Sequence, residues 1–444
     1  MNTPICDFAK KYAESGISRL HMPGHKGKGS LCEQLDLTEI AGADELYAAD
    51  GIIAESEKNA SELFDCKTFY STEGSSHTIR AMLYLASLYA KENGRKPLIL
   101  AARNAHKAFL SAVALLDIEV DWLTPKAQSS YLSLSLTGKE LDNILSGYSK
   151  KPTALYITSP DYLGGIADVK ELATVCHKHG VLLLVDNAHG AYLHFLNESQ
   201  HPISLGADIA CDSAHKTLPV LTGGAYLHVA KNAPDIFCEQ AKSALALFGT
   251  SSPSYLILQS LDAANAYLSD SYRAELEVFI PKVDALRARL QENGYLLYGN
   301  EKLKLTILPK SFGYRGNELA EILRAKQIEC EFCDPDFIVL MLTPSLSLSD
   351  LSKLENALLS IEKRDSITDV PPSFFIPKKN RSIREAILSP CESVAVKCSL
   401  GRTLAQASVG CPPAVPIIMS GEIIDENAIK CFRYYGIEKC LVIK

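Results

Sequence analysis

Residues 181–190 read VLLLVDNAHG, in which five aliphatic residues lead into a polar turn. A short apolar run of this kind, closed by turn-forming residues, is typical of a strand that is buried on both faces of a sheet. The same arrangement recurs along the first half of the chain. It marks seven strand candidates, at residues 68–71, 98–102, 120–123, 154–158, 181–185, 209–212 and 224–229.

Helical patterns lie between several of these strands, at residues 75–92, 106–116, 138–145 and 169–179. Strands that alternate with helices favour an α/β fold with a large, mostly parallel, seven-stranded sheet. Further along, strand-like and helical segments alternate again and predict a smaller α+β C-terminal domain. The predicted division is an N-terminal arm at 1–40, a large domain at 41–295 and a small domain at 296–444.

Composition excludes several classes of protein. The 444 residues include 45 Lys and Arg against 52 Asp and Glu, a net charge of −7, and no basic stripe suggests a nucleic-acid partner. No apolar run approaches the roughly 20 residues of a membrane span, and the N-terminus lacks the apolar core of a signal peptide. The 13 cysteines are too dilute for a disulfide scaffold. The sequence therefore predicts a cytoplasmic protein without a membrane or nucleic-acid partner.

Polar and reactive side chains follow the predicted strands, at the edge where an open α/β sheet binds its ligands. Gly74, Ser75 and Ser76 begin a helix, and their backbone N–H groups favour an anion such as a phosphate. The same residues also fit an ordinary helix N-cap. Asp186 ends a buried strand, where its carboxylate requires a cation. The protonated nitrogen of a pyridine ring would serve, as would a structural ion pair.

Two further side chains extend this pattern. Lys216 lies just beyond a buried strand, where a desolvated amine can act as a nucleophile, although a solvated loop lysine is the alternative. His106 follows another strand and could stack on a flat ring, cap a helix or lie in the core. A phosphate site, an acid partner for a ring nitrogen and a Schiff-base lysine are what pyridoxal phosphate requires. The combination predicts that cofactor.

These residues together resemble the bacterial ornithine/lysine/arginine decarboxylase family of pyridoxal phosphate enzymes, fold type I. The N-terminal segment His21-Met22-Pro23-Gly24-His25-Lys26 is similar to the family's HxPGHK signature. Five further motifs follow in the family's order: Glu73–Ser76, Arg103–Lys107, Ser159–Gly164, Asp186–Gly190 and Ser213–Leu218. Gly401-Arg402, Cys411–Pro416 and Gly421-Glu422 resemble its closing segment. The resemblance covers nearly the whole chain.

The resemblance implies a role for each residue. Lys216 would form the Schiff base with the cofactor, Asp186 would pair with the pyridine nitrogen, and His106 would stack over the ring. His189 would lie close to the ring and the Schiff base. The phosphate would be surrounded by Gly74, Ser75, Ser76, Ser213 and His215. The turn at 250–253 resembles a family turn near the phosphate.

The implied reaction is the decarboxylation of lysine, ornithine or arginine to an amine that serves polyamine formation. The implied assembly is a homodimer, or a dimer-based oligomer, with shared active sites. An acidic side chain should bind the distal cation of the substrate. Glu422 is one candidate, and Asp44 or Glu45 of a partner subunit are others. The chain departs from the family pattern at Cys411, Ala414 and Ser420, so the substrate is the least certain inference.

Other readings of the same residues stay open. A fold-type-I aminotransferase or aldolase would use the same lysine and aspartate, and a non-catalytic relative would bind the cofactor without turnover. A metal hydrolase could take Asp208, Asp212 and His215, or His189 and His194, as ligands, but the spacing fits no standard metal pair. Cys330 and Cys333 form a lone CxxC, and no zinc site is expected there because such a pair points to opposite faces of an extended segment.

Overall fold

Helices and strands alternate along most of the chain in the computed structural model, which describes residues 1–124, 130–373, 376–406 and 413–444. The helices are α1 (Pro4–Glu14), α2 (Ile52–Leu63), α3 (Ser75–Glu92), α4 (Lys107–Leu116), α5 (Gly138–Ser146), α6 (Val169–Lys178), α7 (Ala214–Thr217), α8 (Asp235–Phe248), α9 (Tyr255–Asp270), α10 (Tyr272–Glu292), α11 (Gly316–Ala325), α12 (Leu348–Leu359), α13 (Ile383–Ile387) and α14 (Glu426–Tyr434). The strands are β1 (Lys67–Ser71), β2 (Leu98–Ala101), β3 (Glu119–Trp122), β4 (Ala154–Thr158), β5 (Leu182–Asp186), β6 (Ile209–Asp212), β7 (Ala225–Val229), β8 (Leu296–Tyr298), β9 (Lys304–Leu308), β10 (Phe332–Cys333), β11 (Ile338–Met341), β12 (Cys391–Ala395), β13 (Leu404–Gln406) and β14 (Lys439–Ile443).

The predicted seven-stranded sheet is confirmed. Each of the seven predicted strands and each of the four predicted intervening helices is present, and no end differs by more than one residue. The strands of this sheet have the order β1-β7-β6-β5-β4-β2-β3. Long apolar runs therefore predicted the sheet correctly, because strands buried on both faces leave little room for polar residues.

Strand β7 runs antiparallel to both of its neighbours. It pairs with β1 from Lys67 opposite Val229 to Ser71 opposite Ala225, and with β6 from Ile209 opposite Val229 to Asp212 opposite Tyr226. In contrast, β5 and β6 are parallel, with Asp186 opposite Cys211. The connection from β6 to β7 contains only the four-residue helix α7, whereas parallel strands are usually joined by a longer crossover helix.

The chain divides into two compact units. The first comprises Met1–Ile99, Gly138–Tyr156 and Asp168–Glu275, and the second comprises Leu100–Thr137, Ile157–Ala167 and Leu276–Lys444. Both units are assembled from separate stretches of sequence. The predicted domain boundaries at residues 40 and 295 stay a prediction.

Helix α1 of the first unit lies in the segment that the sequence analysis treats as an arm. Its first turn donates backbone N–H groups of Ile5 and Cys6 to Asp262 Oδ2, both at 3.0 Å. Asp262 thus satisfies N–H groups that have no acceptor within the helix. This acceptor lies more than 250 residues further along the chain. Thr3 at the N-cap position and Pro4 at the first helical position are local signals for a helix start, which the sequence analysis did not use.

The second unit contains two small antiparallel sheets, with the orders β10-β11-β9-β8 and β12-β14-β13. One prediction about this unit is wrong. The thiols of Cys330 and Cys333 hydrogen-bond to each other, although the sequence analysis expects them to point apart. Only Cys333 belongs to a strand, so the alternation of strand side chains does not extend back to Cys330.

One sequence observation falls partly outside the described residues, namely the closing motif at Cys411 and Pro412. Within the part of the chain that the structure describes, no helix combines the length and the apolar composition needed to cross a membrane.

Candidate active site

Asp186 ends strand β5 of the first unit, in a fully enclosed position. The Tyr156 hydroxyl donates to its Oδ2 at 3.1 Å, the Ala188 backbone N–H donates to its Oδ1 at 3.2 Å, and the Cys211 thiol lies 3.7 Å from Oδ1. These contacts are long, and burial raises the pKa of the carboxyl above its ordinary value although Lys216 and the hydrogen bonds lower it. The site therefore favours a cationic ligand at this carboxylate.

Lys216 and His189 lie side by side in the same unit. The Lys216 Nζ atom is 3.1 Å from His189 Nε2, within hydrogen-bond range. Lys216 is on the short helix α7, directly after β6, while His189 is in the turn that follows β5. Since β5 and β6 are parallel neighbours, the polar residues that follow them meet at one edge of the sheet. The amine and the imidazole can therefore exchange a proton directly.

Several residues of the predicted phosphate site lie close together at this edge. The Ser213 hydroxyl donates to Ser75 Oγ at 2.8 Å, and the Gly74 backbone N–H donates to the Gly223 carbonyl oxygen at 2.7 Å. Gly74 has φ +71°, a left-handed conformation that favours glycine, and it precedes the 18-residue helix α3. A Cβ atom at Gly74 would lie 3.9 Å from His215 Cε1.

The structure thus brings together four of the five predicted phosphate contacts. The fifth, Ser76, lies in the first turn of α3 and is half-buried. The turn at 250–253 is close by, because the Thr250 backbone N–H donates to Glu73 Oε1 at 2.6 Å. Both of those residues belong to the first unit of the same chain.

His106 belongs to the second unit, where it caps helix α4. Its Nδ1 atom accepts a hydrogen bond from the Ala108 backbone N–H at 3.1 Å, which is one of the alternatives that the sequence analysis leaves open. The adjacent Lys107 backbone N–H donates to the Ala414 carbonyl at 2.8 Å. Ala414 has φ +57°, so the family's usual glycine at this position would remove a strained conformation.

Two of the three acidic residues considered for the distal cation are already engaged. Both Glu422 oxygens accept hydrogen bonds from Arg103, at 2.6 and 2.9 Å, and both side chains are only 5% exposed. Asp44 accepts backbone N–H groups at the start of α2, among them those of Gly51 and Ile53. Glu45 is the third candidate, and its side chain is exposed.

A buried network around Asp212 escaped the sequence analysis. Asp212 Oδ2 accepts hydrogen bonds from His201 Nε2 at 3.1 Å and His228 Nε2 at 3.2 Å, and Oδ1 accepts one from Asn187 Nδ2 at 2.7 Å. The sequence analysis considered Asp212 only as a metal ligand together with Asp208 and His215. In the structure, Asp208 pairs with His177 instead.

Tyr156 was also missed. It is an apolar-looking position inside strand β4, and nothing in the local sequence distinguishes it from the core tyrosines. Its hydroxyl reaches Asp186 because the two residues lie on separate strands of one unit. The histidines of the Asp212 network are separated from it by 11 and 16 residues, spacings that fit no recognised motif.

Comparison with known proteins gives consistent matches. The sequence profile described as "Orn/Lys/Arg decarboxylase, major domain" matches residues 3–306. The chain is 30% identical to an arginine decarboxylase of Bacillus subtilis, over 96% of this chain and 92% of the relative. It is 28% identical to an arginine decarboxylase of Halalkalibacterium halodurans, over 97% and 93%.

Solved structures match over the whole fold. Lysine decarboxylase A from Pseudomonas aeruginosa superposes with a TM-score of 0.80 at 16% identity, covering 99% of this chain and 80% of that one. The lysine decarboxylase LdcF of Francisella novicida superposes with a TM-score of 0.79 at 15% identity, covering 100% and 81%. At these identities the structural matches describe the fold.

Proposed function

Because this chain belongs to the Orn/Lys/Arg decarboxylase family, and is a pyridoxal-phosphate-dependent lyase that decarboxylates a basic amino acid, we propose that its substrate is L-arginine and its product agmatine. One observation carries the choice of arginine. The relative that is 30% identical over 96% of this chain is named an arginine decarboxylase. A second relative of that name aligns over 97% of this chain.

The residues at the sheet edge of the first unit fit the cofactor. Asp186 is a desolvated carboxylate with three long contacts, and a protonated pyridine nitrogen would supply the cation that it lacks. The N-terminus of the long helix α3, with the Ser75 and Ser213 hydroxyls beside it, suits a phosphate. Lys216 offers the amine that the aldehyde of the cofactor requires.

When bound, pyridoxal phosphate supplies an electron sink that takes up the electron pair left behind as the α-carboxylate departs as CO₂. We assign Asp186 to hold the positive charge of the ring nitrogen, and Gly74, Ser75, Ser76, Ser213 and His215 to bind the phosphate. We assign His106 to stack on the ring, as the family resemblance implies. In this role the imidazole would also keep water away from one ring face.

Lys216 and His189 handle the proton in this proposal. The 3.1 Å separation lets Lys216 Nζ donate to His189 Nε2, or accept from it, without any movement of the backbone. After CO₂ leaves, one of these two groups returns a proton to Cα as a general acid. The other then passes a proton to its neighbour, and the pair takes up one proton from solvent in each turnover to replace the one delivered to Cα.

The setting of the reaction is part of the same proposal. Agmatine is a precursor of polyamines, so we place the enzyme in polyamine formation. We also place it in the cytoplasm. We also propose that it acts as a homodimer with shared active sites. Glu45, which is exposed, stays the candidate for contacting the substrate of the partner subunit.

The test measures CO₂ and amine release from arginine, lysine and ornithine, each offered separately to the purified holoenzyme. A site that binds the planar guanidinium through a carboxylate discriminates against an ammonium of different shape. We therefore expect kcat/KM for arginine to exceed that for lysine and ornithine by roughly tenfold or more. The Lys216→Ala protein is the matched blank.

Equal release from all three substrates would overturn the choice of arginine while leaving the reaction class in place. Preference for lysine or ornithine would overturn it as well. A dimer with shared sites predicts that two inactive variants, one in Lys216 and one in Glu45, regain activity when mixed. Failure of this complementation would contradict the assignment of Glu45.

A further inference from the structure

The Asp212 network, defined as Asp212, His201, His228 and Asn187, has no part in the steps described above. All four side chains are buried, and Asp212, His201 and His228 are completely enclosed. A buried carboxylate is costly unless several donors surround it. Asp212 has three donors, so the charge is compensated without any group from outside the chain.

The hydrogen bonds define how the imidazoles are protonated. The Ile203 backbone N–H donates to His201 Nδ1 at 3.3 Å, so that nitrogen is the acceptor and the ring proton is on Nε2. His228 Nδ1 lies 2.9 Å from the Thr68 hydroxyl, which can donate to it. Both rings can therefore be neutral and donate from Nε2 to one carboxylate.

The pKa shifts of His201 and Asp212 agree with a neutral His201 ring beside a carboxylate anion. Burial lowers the pKa of His201, which favours the neutral ring. Burial works against the charged form of Asp212, but the two imidazoles outweigh it and hold the pKa of Asp212 well below its usual range. Asp212 is therefore a carboxylate anion at neutral pH.

The same donor pattern disfavours a metal ion at this cluster, whose ligand atoms all lie within 4.8 Å of one another. An imidazole that binds a metal presents a lone pair at one nitrogen and donates a proton from the other. At His201 the other nitrogen, Nδ1, faces an N–H group and cannot donate to it. The cluster is arranged for hydrogen bonds to Asp212.

The Asp212 network connects two residues assigned to the cofactor. Asn187 follows Asp186 directly, and its side-chain N–H donates to Asp212 while its backbone N–H donates to the Cys211 carbonyl at 2.9 Å. Asp212 is followed directly by Ser213, whose hydroxyl contacts Ser75. The two strand ends that carry the ring partner and the phosphate contact are thus tied by one carboxylate.

We propose that Asp212, held by His201 and His228, is a positioning residue that fixes Asp186 and Ser213 for the cofactor through Asn187. The inference rests on the proposed function, since it deepens the roles assigned there to Asp186 and Ser213. It predicts that Asp212 matters for cofactor affinity more than for the stability of the fold. No substrate contact is required of it.

Asp212→Asn is the informative variant because it removes the charge and keeps the shape. Asn187 Oδ1 accepts no hydrogen bond from the described residues, so the Asn187 amide can rotate and accept a hydrogen bond from the amide introduced at position 212. The fold can therefore tolerate the change, while the charged carboxylate that links the ends of β5 and β6 through Asn187 is lost. Asp208→Asn is the matched control, since Asp208 is also buried, pairs with a histidine and lies at the opposite end of β6.

The measurement is the dissociation constant of pyridoxal phosphate, obtained by titrating cofactor-free protein and following visible absorbance. We expect Asp212→Asn to raise it about tenfold or more, as for other supporting residues of a bound group, and Asp208→Asn to leave it within about twofold. The melting temperatures of the two cofactor-free variants should fall by similar amounts. If Asp212→Asn does not fold, His201→Leu should weaken binding and His201→Gln, which keeps an N–H donor, should restore it.

Equal dissociation constants for the Asp212→Asn and Asp208→Asn proteins would overturn the inference. So would a stoichiometric metal ion in the purified protein that the Asp212→Asn variant lacks. Failure of the proposed function is recognised separately. Absence of CO₂ release from arginine would overturn the substrate but leave the binding comparison intact, whereas unchanged binding in Asp186→Asn would overturn the site assignment itself.

Discussion

Replacing Glu422 with glutamine should destabilise the second unit without changing substrate preference. Glu422 and Arg103 form two hydrogen bonds, at 2.6 and 2.9 Å, and each side chain is only 5% exposed. In Glu422→Gln, one amide N–H group faces the guanidinium and Arg103 loses the carboxylate of Glu422. Breaking a buried ion pair from one side costs about 3–5 kcal/mol, which corresponds to a change of more than about a hundredfold in the unfolding equilibrium.

Urea unfolding of the cofactor-free protein measures this loss, and the chain carries its own probe. Trp122 is the single tryptophan, and the Arg103 guanidinium lies 5.5 Å from its ring centroid, so fluorescence reports on the pair directly. Glu392→Gln is the matched control in the same unit, because Glu392 pairs with Arg402 at 2.8 Å on the surface. Loss of that exposed pair should cost less than about 1 kcal/mol.

Two further measurements complete the test. Adding Arg103→Met to Glu422→Gln removes the buried positive charge and should recover much of the lost stability. The kcat/KM for arginine, normalised to folded holoenzyme, should stay within about threefold of wild type. Our reasoning is refuted if Glu422→Gln is as stable as Glu392→Gln and loses activity by about a hundredfold, which is the result expected of a ligand for the substrate guanidinium.

Three other changes have defined outcomes. Lys216→Ala should abolish the visible absorption of the bound cofactor and reduce CO₂ release to background, and a variant with residual turnover above about one part in a thousand would contradict its assigned role. Gly190→Ala would place a Cβ atom 2.0 Å from Asn187 Oδ1, so we expect weaker cofactor binding in titrations, and unchanged affinity would show that Asn187 moves freely. Burial raises the pKa of Asp334 to about 7, so the folded protein holds this proton more tightly than the unfolded chain does. The protonated carboxyl therefore stabilises the fold fully below about pH 4, and this stabilisation is lost as the pH rises through 7. The gain in melting temperature of Asp334→Asn over wild type should therefore grow between pH 5 and pH 8, and a constant difference would contradict the shift.

Sequence patterns predicted the sheet because its strands are bounded by strong local signals. In residues 181–190, an apolar run followed by a polar turn predicts where strand β5 ends and therefore places Asp186 at the end of that strand. The positions of Lys216 and His189 follow from the same rule, since both residues come after adjacent parallel strands. The family resemblance implied that they lie close together, and the parallel pairing of β5 with β6 gives the physical reason.

Pairings between distant residues could not be predicted in this way. Arg103 and Glu422 are separated by 319 positions, and no pattern indicates that their charges neutralise each other. Glu422 consequently looked available for the substrate. The acceptor for helix α1 was missed for the same reason, because Asp262 lies more than 250 positions away from it.

The contrast between Asp186 and Asp212 shows why position alone does not identify the cofactor partner. Both carboxylates end neighbouring parallel strands, and both are buried. Asp212 receives three hydrogen bonds of 2.7 to 3.2 Å, and the two imidazoles hold its pKa low despite burial. Asp186 has contacts of 3.1 to 3.7 Å, and burial raises its pKa. A cation brought by a ligand would therefore stabilise Asp186 far more than Asp212. The donors contributed by the rest of the fold thus support our proposal that Asp186, among the acids at this edge, binds the ring of the cofactor.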